Sequence, residues 1–552
     1  MLLAFASFVF ILFTIFYVWL NDRRLIRLPE EVVALSPKRW TPEYVRDAAT
    51  QLVKSPPITI KEHLPQKTGR RYIVVGGVRQ QTLGTRFLTP YVGQGGFLGG
   101  WIIASLLERG ENPNSIRILD IRPPLREDLI EAQNKGVVFI QVDISDRAAV
   151  EAAFNAPWPS SVSSPLPELT VFHTAANIRF YERYEMFLSR SANVNVRGTE
   201  NIVNSARSVG ASILIYTSSG SVAVRRSRFF LWPWEKEPKF FVQIINDDEA
   251  TLPKRHNEFF SNYAATKLQA DLIVRAADNT DSGTSRKLRT GCIRPGNGIF
   301  GPRGDMLCGA YLVRQTNPTW VSNTMQSFCY VENCVLAHLC YEQRLVELQR
   351  GSKNPDIGGQ AFVVADPGPV LTFGDVYTTL ETLTSGECTF PNLPPTLMLL
   401  IATLIEWYYV TRHLLTINFG SSVGNLLPPL NGDIVNLQPS LFALTSVHLI
   451  FDDGRARLPP EQGGLGYTGV WTTYEGLFKT VEEHKNGVGR SGRRSDLAGI
   501  SLGFGSSKAQ KAIAEVNHKV RGEIGLDPLT TLSHRNTQQR SITKYLCSPS
   551  LD

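Results

Sequence analysis

Seven cysteines are scattered through 552 residues with no CxxC pair and no metal-type spacing, so the chain has no framework for disulfides or a cysteine-ligated metal. Charge is thin. Charged residues make up 19% of the chain, the formal net charge is +7, and the basic residues are dispersed or gathered near the C-terminus. That distribution excludes a dedicated nucleic-acid binder. Usable N-x-S/T sequons are absent, because the one candidate, Asn317-Pro318-Thr319, has proline in the middle. These absences agree with a reduced, cytosol-facing body.

What is present begins with residues 2–20, LLAFASFVFILFTIFYVWL, a run without a charge and long enough to cross a hydrocarbon core of roughly 30 Å. Arg23, Arg24 and Arg27 follow it. No basic region precedes the run and no A-x-A-like site follows, which reads as a retained anchor over 1–22. The positive-inside rule keeps the arginines and the body behind them in the cytosol. The expected location is the endoplasmic reticulum membrane, spanned once.

Residues 23–70 are proline-rich and read as a linker. From residue 71 to 300, apolar β-rich runs alternate with helical patterns, which predicts an α/β fold: a doubly wound parallel sheet of Rossmann type. Residues 301–485 read as a smaller, mixed C-terminal lobe. Within it, 393–415 is strongly apolar but contains Glu406. Three readings stay open for it: a core helix lining a greasy pocket, a helix lying on the membrane, or a second span. Residues 486–552, rich in Gly, Ser, Arg and Gln, read as a disordered tail.

The stretch RYIVVGGVRQQTLGTRFLTPYVGQGGFLGGWIIASLLERG, 71–110, starts as a strand and ends as a helix. Lifting out residues 78–94 joins Gly77 to Gly95 and leaves strand, G-x-x-G-x-x-G, helix, with Gly76, Gly96 and Gly99 as the three glycines. Such glycines permit a tight turn, backbone approach to a pyrophosphate and close helix–strand packing. The helix N-terminus, with Phe97 and Leu98 in its first turn, offers free N–H groups to phosphate. We read residues 78–94 as a translated intron of 17 codons; a surface insertion is the alternative. Asp120 ends the second strand and suits the ribose hydroxyls of NAD. Arg122 keeps NADP open as the less favoured cofactor.

Tyr263 and Lys267 lie four apart in NYAATKLQAD, on one face of a predicted helix. They follow a strand ending in YTSSGSV. With the interrupted glycine loop, Asp120, VDIS, HTAAN, NVNVRGTEN and RPGNGIFGPRGD, the chain resembles the extended short-chain dehydrogenase/reductases. Within these it resembles the 3β-hydroxysteroid dehydrogenase branch, including the decarboxylating sterol-4α-carboxylate 3-dehydrogenases. The resemblance implies that Tyr263 is the general base and that Lys267 holds the nicotinamide ribose while lowering the Tyr263 pKa. It implies that Ser219, with Ser218 as the alternative, bonds the reacting oxygen. Asn195 is implied as a helper, or as a residue that satisfies backbone groups. Asp143 and Ile144 would meet adenine, although Asp143 also reads as a helix cap. Ala175 and Pro295 would line the cofactor channel, and His173 reads as a packing residue.

The implied reaction is NAD-dependent oxidation of a 3β-hydroxysterol or triterpenoid to the 3-ketone, with loss of a 4α-carboxylate where one is present. A homodimer is implied as well. The loop 225–245 reads as a sterol lid, an interfacial contact or a packed insertion. The rival readings are a reductase of another apolar metabolite and a non-catalytic NAD-binding membrane scaffold.

Overall fold

The computed structural model describes residues 2–76, 95–283 and 286–487. Gly77, residues 78–94 and the tail from residue 488 lie outside the described residues, and so do the expectations placed on them. The strands are β1 (Arg71–Val75), β2 (Ile116–Asp120), β3 (Val138–Gln141), β4 (Leu169–His173), β5 (Ile213–Thr217), β6 (Val242–Ile245) and β7 (Thr280–Ser282). They continue with β8 (Arg286–Pro295), β9 (Ile299–Phe300), β10 (Met325–Gln326), β11 (Cys329–Tyr330), β12 (Gln360–Val364), β13 (Leu371–Thr372) and β14 (His448–Phe451).

The main sheet runs β3-β2-β1-β4-β5-β8-β12, all parallel, with β7 antiparallel on β8. Its order reverses between β1 and β4, the position at which doubly wound sheets bind nucleotides. Side chains alternate across it. Tyr72 and Val74 join the cluster with Ile102 and Leu106 on one face. Ile73 and Val75 join Val203 and Ala206 on the other. Both faces are therefore covered, and each fully buried branched side chain contributes roughly 1.5–3 kcal/mol.

Strand β12 and the helix Val331–Gln349 belong to this sheet although they follow residue 300. A parallel strand added beyond β8 needs a long crossover, and that helix supplies it. The hydroxyl of Tyr341 fixes the return by donating to the carbonyl of Ile357 at 2.7 Å.

A second sheet, β13-β10-β14-β6, forms the smaller part of the fold. Strand β6 comes from the end of the 225–245 loop and pairs in parallel with β14. Residues 23–70 are more than a spacer. They carry helices Glu30–Leu35 and Pro42–Lys54, and the second packs on the helix Phe373–Leu383. Arg39 and the Trp40 N–H both reach the Asp375 carboxylate.

The apolar segment 393–415 lies within a helix, Pro395–Gly424, broken in its backbone at Gly420. It packs beside the N-terminal helix Leu2–Leu25, which among the described residues is the one helix long and apolar enough to cross a membrane.

Candidate active site

Two cavities meet at the carboxyl ends of the parallel strands, and Ala176 lines both. The first is bounded by Gly76, Gly96, Asp120, Asp143, Ile144 and Ala175, among others. Gly76 and Gly96 thus face one space despite the long stretch of chain between them. Gly76 has φ +86°, and a Cβ there would stand 2.6 Å from the Ala175 nitrogen, so this turn requires glycine. Gly96, Phe97, Leu98 and Gly99 form the buried first turn of the helix Gly95–Glu108. Leu98 reaches the second cavity, while Phe97 packs in the core.

Asp120 ends β2, and its carboxylate accepts from the Arg122 N–H at 3.4 Å. Asp143 is exposed and accepts from the N–H and hydroxyl of Ser145 at 2.9 and 2.8 Å. It does not cap the following helix. Asp146 does, accepting from the Ala149 N–H, which removes the capping reading of Asp143. Ile144 is buried against Gly198, where a Cβ would come within 2.7 Å of it.

The second cavity holds Ser219, Tyr263, Lys267 and Pro295 among apolar walls from Ile178, Phe180, Ile299, Leu307, Phe373 and Leu441. Tyr263 and Lys267 sit in the first turns of the helix Asn262–Ala276, whose N-cap Ser261 accepts from the Ala264 N–H. Ser219 follows β5 and caps a short turn over Gly220–Ala223. Gly220 is needed there, because a Cβ would meet the Phe451 ring at 2.1 Å. The Ser219 hydroxyl lies 2.7 Å from the Ser221 hydroxyl. Ser218 is buried, and its hydroxyl has no hydrogen-bond partner among the described residues.

Burial dominates the electrostatics. It pushes the Tyr263 phenol up to about 12, opposed by the hydrogen bond with Ser219. It pulls Lys267 down to about 7, opposed by the Asp271 carboxylate. The expectation that Lys267 lowers the Tyr263 pKa is therefore not met in the free protein. For both groups the cost of leaving water is the largest effect. Lys267 instead donates to the Thr217 carbonyl at 2.6 Å and lies 4.1 Å from the centre of the Tyr216 ring.

Asn195 sits in a π-helical turn, Asn193–Gly198, inside the helix that crosses behind the site. It accepts from the Asn177 N–H at 2.7 Å and donates to the Asn177 carbonyl and the Thr266 hydroxyl, each at 3.0 Å. Its polar atoms are thus engaged in tying the loop after β4 to the Tyr/Lys helix, which makes it a positioning residue. His173 is fully buried against the Thr199 hydroxyl, and burial holds it neutral with its pKa pulled down to about 3.

Two further groups have no motif in the sequence. Asp271 pairs with Arg294 through two bonds of 3.0 and 2.9 Å. His338 meets the Thr217 hydroxyl at 2.7 Å. The i, i+4 spacing from Lys267 to Asp271 was the available signal for the first. Nothing local pointed to the second.

The model of the 3-beta hydroxysteroid dehydrogenase/isomerase family matches residues 91–385. The chain belongs to this family. It is a family of oxidoreductases, and the fold, both cavities and the Tyr/Lys pair accord with membership. The chain is 30% identical over 382 residues to 3beta-hydroxysteroid-dehydrogenase/decarboxylase isoform 1 of Arabidopsis thaliana, covering 66% of this chain and 73% of that one. Against isoform 2 of the same plant it is 28% identical and spans 57% of that protein's length. It is 26% identical over 328 residues to a decarboxylating sterol-4-alpha-carboxylate 3-dehydrogenase of Schizosaccharomyces pombe, covering 58% and 82%. Among solved structures, a UDP-glucose 4-epimerase of Thermotoga maritima aligns with a TM-score of 0.45 at 16% identity, covering 75% of this chain and 99% of that one.

Proposed function

We propose that this protein oxidises the 3β-hydroxyl of a sterol or related triterpenoid to the 3-ketone with NAD as the acceptor. Where carbon 4 bears a carboxylate, that carboxylate is lost. The observation that carries this reading is the convergence of Tyr263, Lys267 and Ser219 on an apolar cavity adjoining the glycine-bounded one. An apolar alcohol suits those walls, and a sugar nucleotide does not.

The residues present fit a dinucleotide. Gly76 opens backbone that a side chain would close, and Asp120 stands where the ribose hydroxyls of NAD are recognised and a 2′-phosphate is repelled. Gly96 and the helix turn behind it suit the pyrophosphate, Asp143 and Ile144 the adenine, and Ala175 and Pro295 the channel walls. When bound there, NAD would supply the hydride acceptor for the carbinol carbon that is oxidised.

Ser219 donates to the reacting oxygen and orients it toward Tyr263, which takes the hydroxyl proton as general base. Lys267, held at the end of β5 by its bond to the Thr217 carbonyl, holds the nicotinamide ribose. With a 4α-carboxylate, the new ketone draws in the electron pair of the breaking C–C bond as carbon dioxide leaves. The O–H groups of Tyr263 and Ser219 then face the developing enolate oxygen. The N-terminal helix anchors the body to the endoplasmic reticulum membrane from its cytosolic side, with the arginines after residue 20 at the inner surface.

The test is an assay of purified protein for NAD reduction with 3β-hydroxysterols bearing or lacking a 4α-carboxyl group. Turnover with either supports the reading. Turnover of another apolar alcohol with neither sterol replaces the substrate class.

A further inference from the structure

The helix Pro395–Gly424 carries its polarity the wrong way round for a helix facing water. Leu397, Leu400, Leu404, Trp407, Leu414 and Ile417 recur at spacings of three, four and seven, and all are exposed, from 42% to 63%. The opposite face is buried or half-buried and partly polar. Glu406 takes two bonds from Arg183 at 2.6 and 2.5 Å, Tyr409 donates to Glu182 at 2.7 Å, and His413 faces Arg190 at 3.2 Å. A helix against water places these two classes in the opposite sense. The outer face is therefore matched to an apolar surrounding.

Five hydrogen bonds fix which surrounding. Asn21, at the base of the N-terminal apolar helix, donates to the Thr396 hydroxyl at 2.8 Å, and the Thr396 N–H donates to Asp22 at 2.7 Å. Asn21 also donates to the Phe229 carbonyl at 3.1 Å, and Arg24 donates to the carbonyls of Trp232 and Pro233 at 3.0 and 2.7 Å. The 225–245 loop and the start of the 395–424 helix are thus clasped at the level where the N-terminal helix ends. There Trp232 and Trp234 stack with centroids 5.3 Å apart while 56% and 75% exposed. Paired indoles beside arginine are the usual composition of a bilayer interface.

From this geometry we infer that the outward face of the 395–424 helix and the Trp232–Trp234 pair lie in the bilayer interface, and that the apolar substrate reaches the reaction cavity from the lipid. The route rests on the function proposed above. The short helix Pro439–Thr445 packs on the 395–424 helix, lines the reaction cavity with Leu441 and Leu444, and carries Phe442 against Phe229 of the Trp loop. One wall of the cavity is thereby built on the lipid-facing unit.

The test places an NBD fluorophore on cysteine at Leu404→Cys or Trp234→Cys in the full chain, reconstituted in phosphatidylcholine vesicles. Leu125→Cys, on an exposed loop (60%), is the aqueous control. The expected result is quenching of the two probes by lipid-borne nitroxides with protection from aqueous iodide, and the reverse for the control. Iodide quenching at 404 and 234 overturns the inference. So does concentration-dependent protection in detergent without nitroxide quenching, which would mean a second copy covers the face.

In a second arm, Leu400→Ser/Leu404→Ser/Trp407→Ser should slow turnover of vesicle-borne sterol at least tenfold while leaving a water-soluble secondary alcohol unaffected. Equal turnover of both removes the lipid route. If the unmodified protein turns over no sterol at all, the substrate assignment fails, while the quenching result still decides the docking surface.

Discussion

Lys267 donates its hydrogen bond to the backbone carbonyl of Thr217 at 2.6 Å, and this bond holds the Tyr/Lys helix to the end of β5. The Thr217 hydroxyl in turn meets Nε2 of His338 at 2.7 Å, and Nδ1 of the same ring lies 2.7 Å from the Cys334 carbonyl. The lysine therefore sits on a strand end braced from the crossover helix behind it.

That position has a pH signature. Burial lowers the Lys267 pKa from 10.5 to about 7, so the unfolded chain binds the extra proton between those values. The buried charge is a full penalty on stability below about pH 7. It shrinks as pH rises toward 10.5 and vanishes above. Lys267→Met should therefore raise stability more at pH 6 than at pH 9.5, by roughly 3 kcal/mol, with turnover lost. Urea midpoints at the two pH values measure it, and an equal gain at both would show that the amine is not dehydrated in the fold.

Ser219 is the group that pulls the Tyr263 pKa back toward its ordinary value. Ser219→Ala should raise that pKa further, move the rising limb of the pH–rate profile upward, and slow oxidation by about 10- to 100-fold. Ser218→Ala should leave the profile in place. Tyr263→Phe should cost roughly 10²–10⁴ in rate while NAD affinity, read by calorimetry, stays within a factor of about three.

Much of the fold was legible because a doubly wound sheet repeats one signal. Runs such as RYIVV, IRILD and ILIYT alternate with amphipathic helices, and their order alone fixes the sheet to the end of β8. Strand β12 was hidden because QAFVV lies in a segment without that alternation, and its pairing with β8 is decided only when the Val331–Gln349 helix crosses over. The 225–245 loop was legible as aromatic and basic, but its last residues become β6 through a partner more than 200 positions away. In the site, residue identities could be read from spacing. Their charge states could not, because burial is a tertiary property: the same i, i+4 pair on an exposed helix would have near-normal pKa values.

Asp120 closes the nucleotide cavity at the end of β2. Asp120→Ala should weaken NAD binding about 10-fold or more, the magnitude expected from a charge-assisted hydrogen bond, and should narrow the gap between NAD and NADP. Calorimetric titration with each dinucleotide gives both values. Unchanged NAD affinity would place the ribose away from β2.

The Arg183–Glu406 pair tests how firmly the 395–424 helix is held. Arg183 keeps 18% of its side chain exposed, while Glu406 keeps 2%. Removing the arginine leaves a buried carboxylate without its two bonds, and Arg183→Ala should cost roughly 3 kcal/mol or more. Removing the carboxylate leaves a guanidinium that can turn toward water, so Glu406→Ala should cost less, about 1–2 kcal/mol. The double variant should then be less damaging than the two losses added, because the stranded charge is gone. Chemical denaturation of the four proteins in one detergent measures the cycle. Additive losses would mean that the helix is held by its apolar contacts and that this ion pair contributes nothing to its seat.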